Sequence, residues 1–370
     1  MHRHQASPPG APPGGLAGTA PARGGQAAVH HFTIGVPPPF RLDLTAWALR
    51  RRAHNAVDSF DGRRYQRTLV VDGQPVEATV CQQERDGTTL LAVQLRGPEG
   101  ALSGERAAGS RRVLEHTLGL AADLRGFYRL AERDAALREL AQRFRGMRPP
   151  CFPSVFEAVV NAIACQQLSL TVGIHLLNRL AQRYGPCISA TPPARPGFPA
   201  PQRLATASPA ALRELGFSLA KARAVTDLAR RVATGDLDLE ALRDASDDQA
   251  LAILLGLTGV GRWSAEYTLL RGLGRYHVLP GDDVGARSNL RRRFGLAAGA
   301  DYGAVAALSR RWQPYGGLVY FHLLARRPGL QRPAAALSAL TPSQPGGAHA
   351  TAVRAAAWLF WRTLEQQRKE

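Results

Sequence analysis

The stretch that decides the fold is LTGVGRWSAEYTLLRG, Leu257–Gly272, which places two glycines around a valine before a helix-forming run. Glycine adopts the positive φ angles that a sharp turn needs, and the N-terminus of the following helix exposes backbone amides that can hold a phosphate. The pattern predicts two helices joined by a glycine hairpin near residues 251–272. An ordinary turn between two packed helices is the alternative. The residues expected to contact a phosphate backbone are Gly259, Val260, Gly261 and Arg262, with the amides of Gly259 and Gly261 facing the phosphate.

An acidic pair follows in LPGDDVG, Leu279–Gly285. Asp282 and Asp283 open a second helix-forming run, where the helix dipole favours negative charge. We expect Asp282 to be the N-cap of this helix, which leaves Asp283 without a structural task. Asp283 is therefore a candidate catalytic carboxylate, and a role in capping the helix is the alternative for either residue.

The charge of the chain indicates its class of partner. Its 370 residues include 47 Lys+Arg and 29 Asp+Glu, which gives a formal net charge of +18 and a sequence pI of about 11.0. Such a field attracts polyanions, and nucleic acid is the first candidate because phosphate contacts dominate its binding. An arginine-rich bias of the whole proteome is the alternative. Lys221, near a second glycine turn, is one of only two lysines and a further candidate phosphate contact.

Several classes of protein are disfavoured by what the sequence lacks. The four cysteines form no C-x-x-C pair, which argues against a zinc site or an iron–sulfur cluster. No apolar run approaches the roughly 20 residues that a membrane span needs. The first residues have no continuous apolar stretch of the kind found in a secretory signal. We therefore expect a cytoplasmic protein without a membrane segment.

The order of the predicted elements indicates an α+β fold. RYQRTLVV, QPVEATVCQQ and TTLLAVQL are separated by Asp-Gly pairs typical of tight hairpins, so residues 31–110 are expected to form an N-terminal antiparallel β-sheet domain. Helical periodicity then predicts an all-α body over residues 111–327. Residues 1–30 are rich in Pro, Gly and Ala and are expected to be a disordered tail. Residues 328–370 indicate a Pro/Ala-rich linker and a helix over 349–368, which either docks on the body or binds a partner.

Five motifs, in this order along the chain, resemble those of DNA-3-methyladenine glycosylase II, the alkylation-repair branch of the helix-hairpin-helix DNA glycosylase superfamily. They are FEAVVNAIACQQLS, LGFSLAKARA, LTGVGRWSAEY, LPGDDVGARSNL and RRWQPYGGLVYFHLL, and the resemblance runs from Pro39 to Arg327. It implies a sheet domain followed by a two-part helix-hairpin-helix glycosylase body. It also implies a monofunctional N-glycosylase in base excision repair, which flips out alkylated purines such as 3-methyladenine and 7-methylguanine and leaves an abasic site.

The resemblance assigns roles to residues by position. Asp283 becomes the catalytic carboxylate, which stabilises an electron-poor deoxyribose. The base pocket falls on aromatic residues whose ring faces attract a cationic base, although core packing is the alternative for each of them. These residues are Trp263, Tyr267 and Trp312. One departure from the family pattern is Gly316-Gly317, where an arginine is common.

The residue that enters the DNA duplex falls on Gln167 in the same comparison, with Leu168 beside it as the alternative. Relatives that also cut the DNA strand use a lysine two residues after the second hairpin glycine to form a Schiff base. Trp263 occupies that position here, so the resemblance implies no lyase activity. A bifunctional lyase is retained as a third hypothesis.

The expected partner is double-stranded DNA containing alkylated bases, bound by a monomer with no obligate protein partner. No cofactor is expected, although the family's hairpin can hold Na⁺ or K⁺ on backbone carbonyls, which would here be those of Leu255, Leu257 and Val260. A non-catalytic helix-hairpin-helix protein that binds DNA or recognises damage is the alternative from another class. The aspartate and the aromatic residues favour the glycosylase over the binding protein, because a protein that only binds DNA does not need a carboxylate beside an aromatic pocket.

Overall fold

The computed structural model describes residues 29–98, 102–188 and 195–325. All of these residues belong to one compact unit that ends at Ala325. A five-stranded sheet precedes a body of helices, and no strand follows Arg96 in the described part of the chain, which confirms the α+β prediction. The predicted helix over 349–368 and almost all of the predicted N-terminal tail lie outside the described residues.

The sheet is antiparallel throughout and has the strand order β1-β5-β4-β3-β2. The three predicted runs are its three central strands. Asp72-Gly73 and Asp86-Gly87 each place two successive residues at positive φ, as a two-residue hairpin turn requires. The sequence patterns missed β1, which pairs with the distant β5, and β2, which is too short to show alternation. The strands are β1 (Val29–Gly35), β2 (Ser59–Phe60), β3 (Arg64–Val71), β4 (Gln74–Arg85) and β5 (Thr88–Arg96).

Fourteen α-helices lie in the described residues: the first two contribute to the hydrophobic core of the sheet, and the other twelve form the body. Serine or aspartate side chains cap many of their N-termini, including the predicted cap Ser208. None of these helices combines the length and the apolar character that crossing a membrane requires. They are α1 (Leu42–Arg50), α2 (Gly104–Thr117), α3 (Leu124–Ala131), α4 (Ala135–Arg143), α5 (Val155–Cys165), α6 (Leu170–Tyr184), α7 (Pro201–Ala205), α8 (Pro209–Glu214), α9 (Leu219–Thr234), α10 (Asp247–Leu255), α11 (Arg262–Arg271), α12 (Val284–Phe294), α13 (Tyr302–Ser309) and α14 (Gly316–Ala325).

A buried ionic cluster joins the sheet to α5. Arg67 of β3 pairs with Asp58 at 2.7 Å and with Glu157 of α5 at 2.5 Å. The hydroxyl of Tyr65 donates to the same Asp58 carboxylate at 2.8 Å. All four side chains are buried. Because an unpaired charge is costly in the interior, this cluster fixes the sheet on the helix that leads into the functional site.

The predicted hairpin is confirmed as the turn between α10 and α11. Gly259 has a φ of 77°, and a Cβ at this position would lie 2.9 Å from the Cβ of Ala224 in α9. A Cβ at Gly261 would meet nothing within 4 Å. The side chain of Val260 is buried in the helical core and anchors the turn. The first glycine is therefore needed for the fold, and the second leaves an open approach to the start of α11.

Candidate active site

Three hydrogen bonds fix the carboxylate of Asp283 at the N-terminus of α12. Its Oδ1 accepts from the backbone amide of Ala286 at 2.7 Å. Its Oδ2 accepts from the indole Nε1 of Trp263 at 3.2 Å and from the hydroxyl of Tyr320 at 3.0 Å. One oxygen thus caps the helix, while the other is oriented by two side chains at a partly exposed position.

The expectation that Asp282 caps α12 is wrong. The N-cap is the residue directly before the first helical residue, Val284, and that residue is Asp283. Asp282 instead accepts from Arg262 Nε and from Arg287 Nη2, both at 2.7 Å. Asp283 therefore has a structural task as well, and its second oxygen is what leaves it able to act on a ligand.

Trp263 and Tyr267 stand four residues apart on α11 and stack on each other. Their ring centroids are 5.2 Å apart and the planes differ by 26°. Tyr267 is 5% exposed and packs on the buried ring of Phe152, whereas Trp263 is only partly buried. Trp263 also donates a hydrogen bond to Asp283. The structure therefore brings these two aromatic residues and the carboxylate together as predicted.

The prediction that Trp312 lines the base pocket is wrong. Trp312 ends the short 3₁₀ turn after α13 and is 1% exposed. Its ring meets Phe294 edge-on at 4.8 Å, and the Arg311 guanidinium lies 4.8 Å from its centroid. A pocket wall needs a ring face open to the ligand, and the surrounding protein covers this ring.

Tyr320 is the aromatic residue of α14 that does reach the site. Burial raises the pKa of its hydroxyl well above the ordinary value, and the neighbouring charge of Asp283 raises it further. The hydroxyl therefore stays protonated and donates to the carboxylate. Tyr320 lies within the motif that ends in YFHLL, but its contact is with a residue in a different helix, so local sequence gave no signal for its role.

Gln167 and Leu168 lie exposed in the loop between α5 and α6, beside the hairpin. Gln167 has a φ of 52°, a left-handed conformation that is strained for a residue other than glycine. The preceding residue, Gln166, donates from Nε2 to the carbonyl of Gly259 and to the hydroxyl of Ser264, both at 2.7 Å. No sequence pattern predicted a role for Gln166. Its side chain nevertheless links the hairpin to the loop that carries Gln167 and Leu168, the two candidates for the wedge, which is the side chain that enters the DNA duplex.

Lys221 has a structural task, and its predicted phosphate contact stays a prediction. Its Nζ donates to the carbonyls of Ala164 at 3.1 Å and Gln166 at 2.6 Å, where α5 ends. Burial lowers the pKa of this amine. A cation at the C-terminus of a helix is favourable, and here it holds the loop that carries Gln167.

The hairpin keeps part of its predicted anion site. The amide of Val260 donates to the carbonyl of Leu257 at 3.1 Å and so closes the turn. The N-cap of α11 is Gly261, which has no side chain to cap the helix, so the first amides of α11 are open to an anion. The side chain of Arg262 pairs with Asp282 and lies 3.9 Å over the ring of Tyr302, although it remains half exposed.

A second carboxylate holds the turn that precedes Asp283. Glu266 of α11 accepts from the amide of Gly281 at 3.0 Å and from the hydroxyl of Tyr302 at 2.5 Å. Burial raises the pKa of Glu266, and burial together with this contact raises the pKa of Tyr302 to about 12. No local pattern marked Glu266, because its partners come from other parts of the chain.

The structure explains the departure at Gly316-Gly317. A Cβ at Gly316 would lie 2.7 Å from the carbonyl oxygen of His277. A Cβ at Gly317 would lie 2.5 Å from Leu270 Cδ1 and 2.7 Å from the carbonyl oxygen of Tyr276. An arginine at either position would require the backbone to move, so the start of α14 has no room for the family's side chain.

Comparisons with known proteins agree with this geometry. Residues 160–314 match the model of the HhH-GPD superfamily of base excision DNA repair proteins. The chain is 33% identical over 292 residues to DNA-3-methyladenine glycosylase 2 of Escherichia coli, a match that covers 79% of this chain and 96% of that relative.

Solved structures give the same result at the level of the fold. The 3-methyladenine DNA glycosylase from Archaeoglobus fulgidus superposes with a TM-score of 0.69 at 26% identity, over 79% of this chain and 97% of that one. An 8-oxoguanine glycosylase/lyase from Clostridium acetobutylicum superposes with a TM-score of 0.61 at 15% identity, over 81% and 99% of the two chains, which shows the fold alone. The chain therefore belongs to the HhH-GPD superfamily of base excision DNA repair proteins, in its DNA-3-methyladenine glycosylase branch.

Proposed function

We propose that the protein is a DNA N-glycosylase of base excision repair, which flips alkylated purines out of duplex DNA and hydrolyses the bond between base and sugar. The observation that carries this proposal is the carboxylate of Asp283, oriented by Trp263 and Tyr320 next to a stacked aromatic pair. The relatives named as 3-methyladenine glycosylases support the substrate class.

The elements around the carboxylate suit the extraction of a base. A base inside a duplex is inaccessible, so the nucleotide must rotate out of the stack. The open amides at the start of α11 can hold the DNA backbone, while Gln167 or Leu168 fills the space that the base leaves. The loop that carries these two side chains and the hairpin are joined through Gln166, so both act from one rigid surface.

The chemistry then follows from charge. The bond between C1′ and the base nitrogen breaks with its electron pair going to the base, so a cationic alkylated purine leaves as a neutral molecule and needs no acid. The sugar acquires oxocarbenium character, which the carboxylate of Asp283 stabilises. A water oxygen bonds to C1′ and releases its proton. The exposed ring surface of Trp263 offers a cationic base about 0.5–2 kcal/mol of attraction.

The product is an abasic site with the strand intact. A lyase needs an amine to form a Schiff base, and Trp263 stands where such relatives have a lysine. Lys221 is the one lysine among the described residues, and its ammonium group donates hydrogen bonds to two carbonyls at the end of α5. These observations support a monofunctional enzyme.

We propose a monomer in the cytoplasm that associates with the nucleoid when it binds DNA. A monovalent cation fits the hairpin because the carbonyl of Leu257 accepts one amide and keeps a second lone pair. The carbonyls of Leu255, Leu257 and Val260 would hold it, and it would stiffen the turn.

One assay separates the candidate functions. The protein is incubated with duplex DNA carrying 7-methylguanine, and strand breaks are counted with and without alkali. We expect free base and breaks that appear only after alkali. Binding without base release would favour a non-catalytic damage-recognition protein, whereas breaks without alkali and trapping by borohydride would favour a lyase.

A further inference from the structure

The helix that begins at the hairpin, α11, contacts three consecutive residues of the turn before α12, each through a different side chain. The three hydrogen-bonded pairs are Glu266 with Gly281, Arg262 with Asp282, and Trp263 with Asp283. The turn is closed by the amide of Asp283, which donates to the carbonyl of Pro280 at 3.2 Å. The position of the carboxylate is therefore set relative to the helix whose first amides are proposed to hold the DNA backbone.

Glu266 makes the most deeply buried of these three contacts. It is 6% exposed, whereas the side chains of Arg262 and Asp282 are 52% and 28% exposed. Water and salt screen an exposed ion pair, which therefore contributes little, but a buried hydrogen bond to a carboxylate is costly to lose. The bond from the amide of Gly281 to Glu266 thus fixes the turn more firmly than the neighbouring ion pair does.

Tyr302, the first residue of α13, orients the carboxylate of Glu266. Its hydroxyl donates to Oε1 at 2.5 Å, and the amide of Gly281 donates to Oε2 at 3.0 Å. The ring of Tyr302 also covers Gly281, because a Cβ at that position would lie 2.7 Å from Cε2 of the ring. The turn therefore lies between a carboxylate from α11 and a ring from α13, and it has little room to shift.

We infer that Glu266 is a positioning residue for the reaction, which holds the carboxylate of Asp283 at a fixed distance from the DNA strand bound by the hairpin. The inference rests on the proposed glycosylase function. Glu266 acts through the amide of Gly281, two residues before Asp283. A displacement of about 1 Å in a reacting group can slow catalysis about 100-fold, so a turn that is free to shift would impair the stabilisation of the sugar.

Three variants separate positioning from a general loss of stability. Glu266→Leu removes both acceptor oxygens. Glu266→Gln keeps one oxygen for the amide of Gly281, and its amide group can donate to the hydroxyl of Tyr302. Asp134→Ala is the matched control, since the Asp134 carboxylate also accepts two hydrogen bonds, from backbone amides at the start of a different helix, α4.

Two quantities are measured for each variant. The first is the rate constant for release of 7-methylguanine in a single turnover with a saturating excess of enzyme. The second is the dissociation constant for a duplex that carries an unreactive abasic analogue. Because only folded enzyme binds the duplex, the rate constant at saturation does not depend on the fraction of enzyme that is folded.

We expect Glu266→Leu to slow release about tenfold or more and to keep the dissociation constant within about twofold of the wild type, because the hairpin amides are unchanged. Glu266→Gln recovers most of the rate constant, and Asp134→Ala keeps the wild-type value. If Glu266→Leu does not fold, Tyr302→Phe takes its place. It keeps the ring over Gly281, removes the hydroxyl that orients Glu266 and should slow release about threefold or more.

The same changes in an Asp283→Asn background show whether Glu266 acts through the carboxylate. The charge that Glu266 positions is then absent, so Glu266→Leu should slow the remaining release by no more than about twofold. Effects of the two substitutions that multiply would show that Glu266 acts on another part of the site.

Three results would overturn the inference: release by Glu266→Leu, or by Tyr302→Phe in its place, at the wild-type rate constant, a rate constant and an affinity that fall together, or effects that multiply with Asp283→Asn. A wild-type enzyme that binds the duplex and releases no base would instead overturn the proposed function itself.

Discussion

At the scale of single residues, the two oxygens of Asp283 have different partners. Oδ1 caps α12, and Oδ2 faces Trp263 and Tyr320. The sequence and its family resemblance could single out Asp283, Trp263 and Tyr267, which the structure brings together, because each lies in a short motif. It could not identify Tyr320 or Glu266, since each acts on a partner that only the fold brings near. Trp312 was placed wrongly because a tryptophan in a motif looks the same whether its ring is buried or open.

Gln167 offers a test at this scale, since its strained backbone has no evident benefit to the fold. Gln167→Gly relieves the strain but raises the chain entropy lost on folding, so we expect the unfolding free energy to stay within about 1 kcal/mol of the wild type. Base release should fall about tenfold or more, because no side chain fills the vacated space. Chemical denaturation and single-turnover kinetics measure the two quantities.

Leu168→Ala is the companion variant, since Leu168 is 42% exposed in the same loop. If Leu168→Ala slows release and Gln167→Gly does not, the wedge is Leu168 and the assignment to Gln167 is wrong.

At the scale of elements, α5 connects the sheet to the site. Glu157 in its first turn accepts from Arg67 of the sheet, and Asn161 accepts from Arg51. A carbonyl in its last turn accepts from Lys221. The central strands and the hairpin helices were predictable, because alternation, Asp-Gly turns and glycine spacing are local signals. The contact between the sheet and α5, here called the joint, was not predictable, since its ion pairs span distant segments of the chain.

Arg67→Met tests this joint. The change leaves Asp58 and Glu157 buried without their ion-pair partner, so we expect the unfolding free energy to fall by about 3–5 kcal/mol. Arg63→Met removes an exposed charge from the same strand region. It should change the unfolding free energy by no more than about 0.5 kcal/mol. Similar values for the two variants in urea denaturation would show that the buried cluster does not hold the sheet on α5.

At the scale of the whole molecule, one partly buried and one fully buried histidine link stability to pH. His116, partly buried in α2, has its Nε2 atom 3.2 Å from the carbonyl oxygen of Gly272. His322 of α14 is buried, and its ring centroid lies 4.7 Å from that of Phe127. Burial lowers the pKa of each to about 4, from an ordinary value of 6.5. As the pH falls, the unfolded chain binds these protons first. The stability that both residues contribute above pH 6.5 is therefore lost as the pH falls toward 4.

We expect the wild type to lose about 2 kcal/mol of unfolding free energy for each of these histidines between about pH 7 and about pH 5. His322→Leu should lose about 2 kcal/mol less than the wild type over the same interval. Denaturant titrations at the two pH values measure this difference. If the variant and the wild type lose the same unfolding free energy between these pH values, His322 does not remain neutral in the folded protein.

The measurement that tests the central claim most directly is the release of 7-methylguanine by Asp283→Asn. Asparagine caps a helix about as well as aspartate, so α12 should keep its start. The neutral amide cannot stabilise the developing cation on the sugar. We predict binding of the methylated duplex close to that of the wild type and single-turnover release slowed by about 100-fold or more. Asp282→Asn, the control, should keep its activity and lose about 1 kcal/mol of stability or less. Release at the wild-type rate by Asp283→Asn would contradict the account.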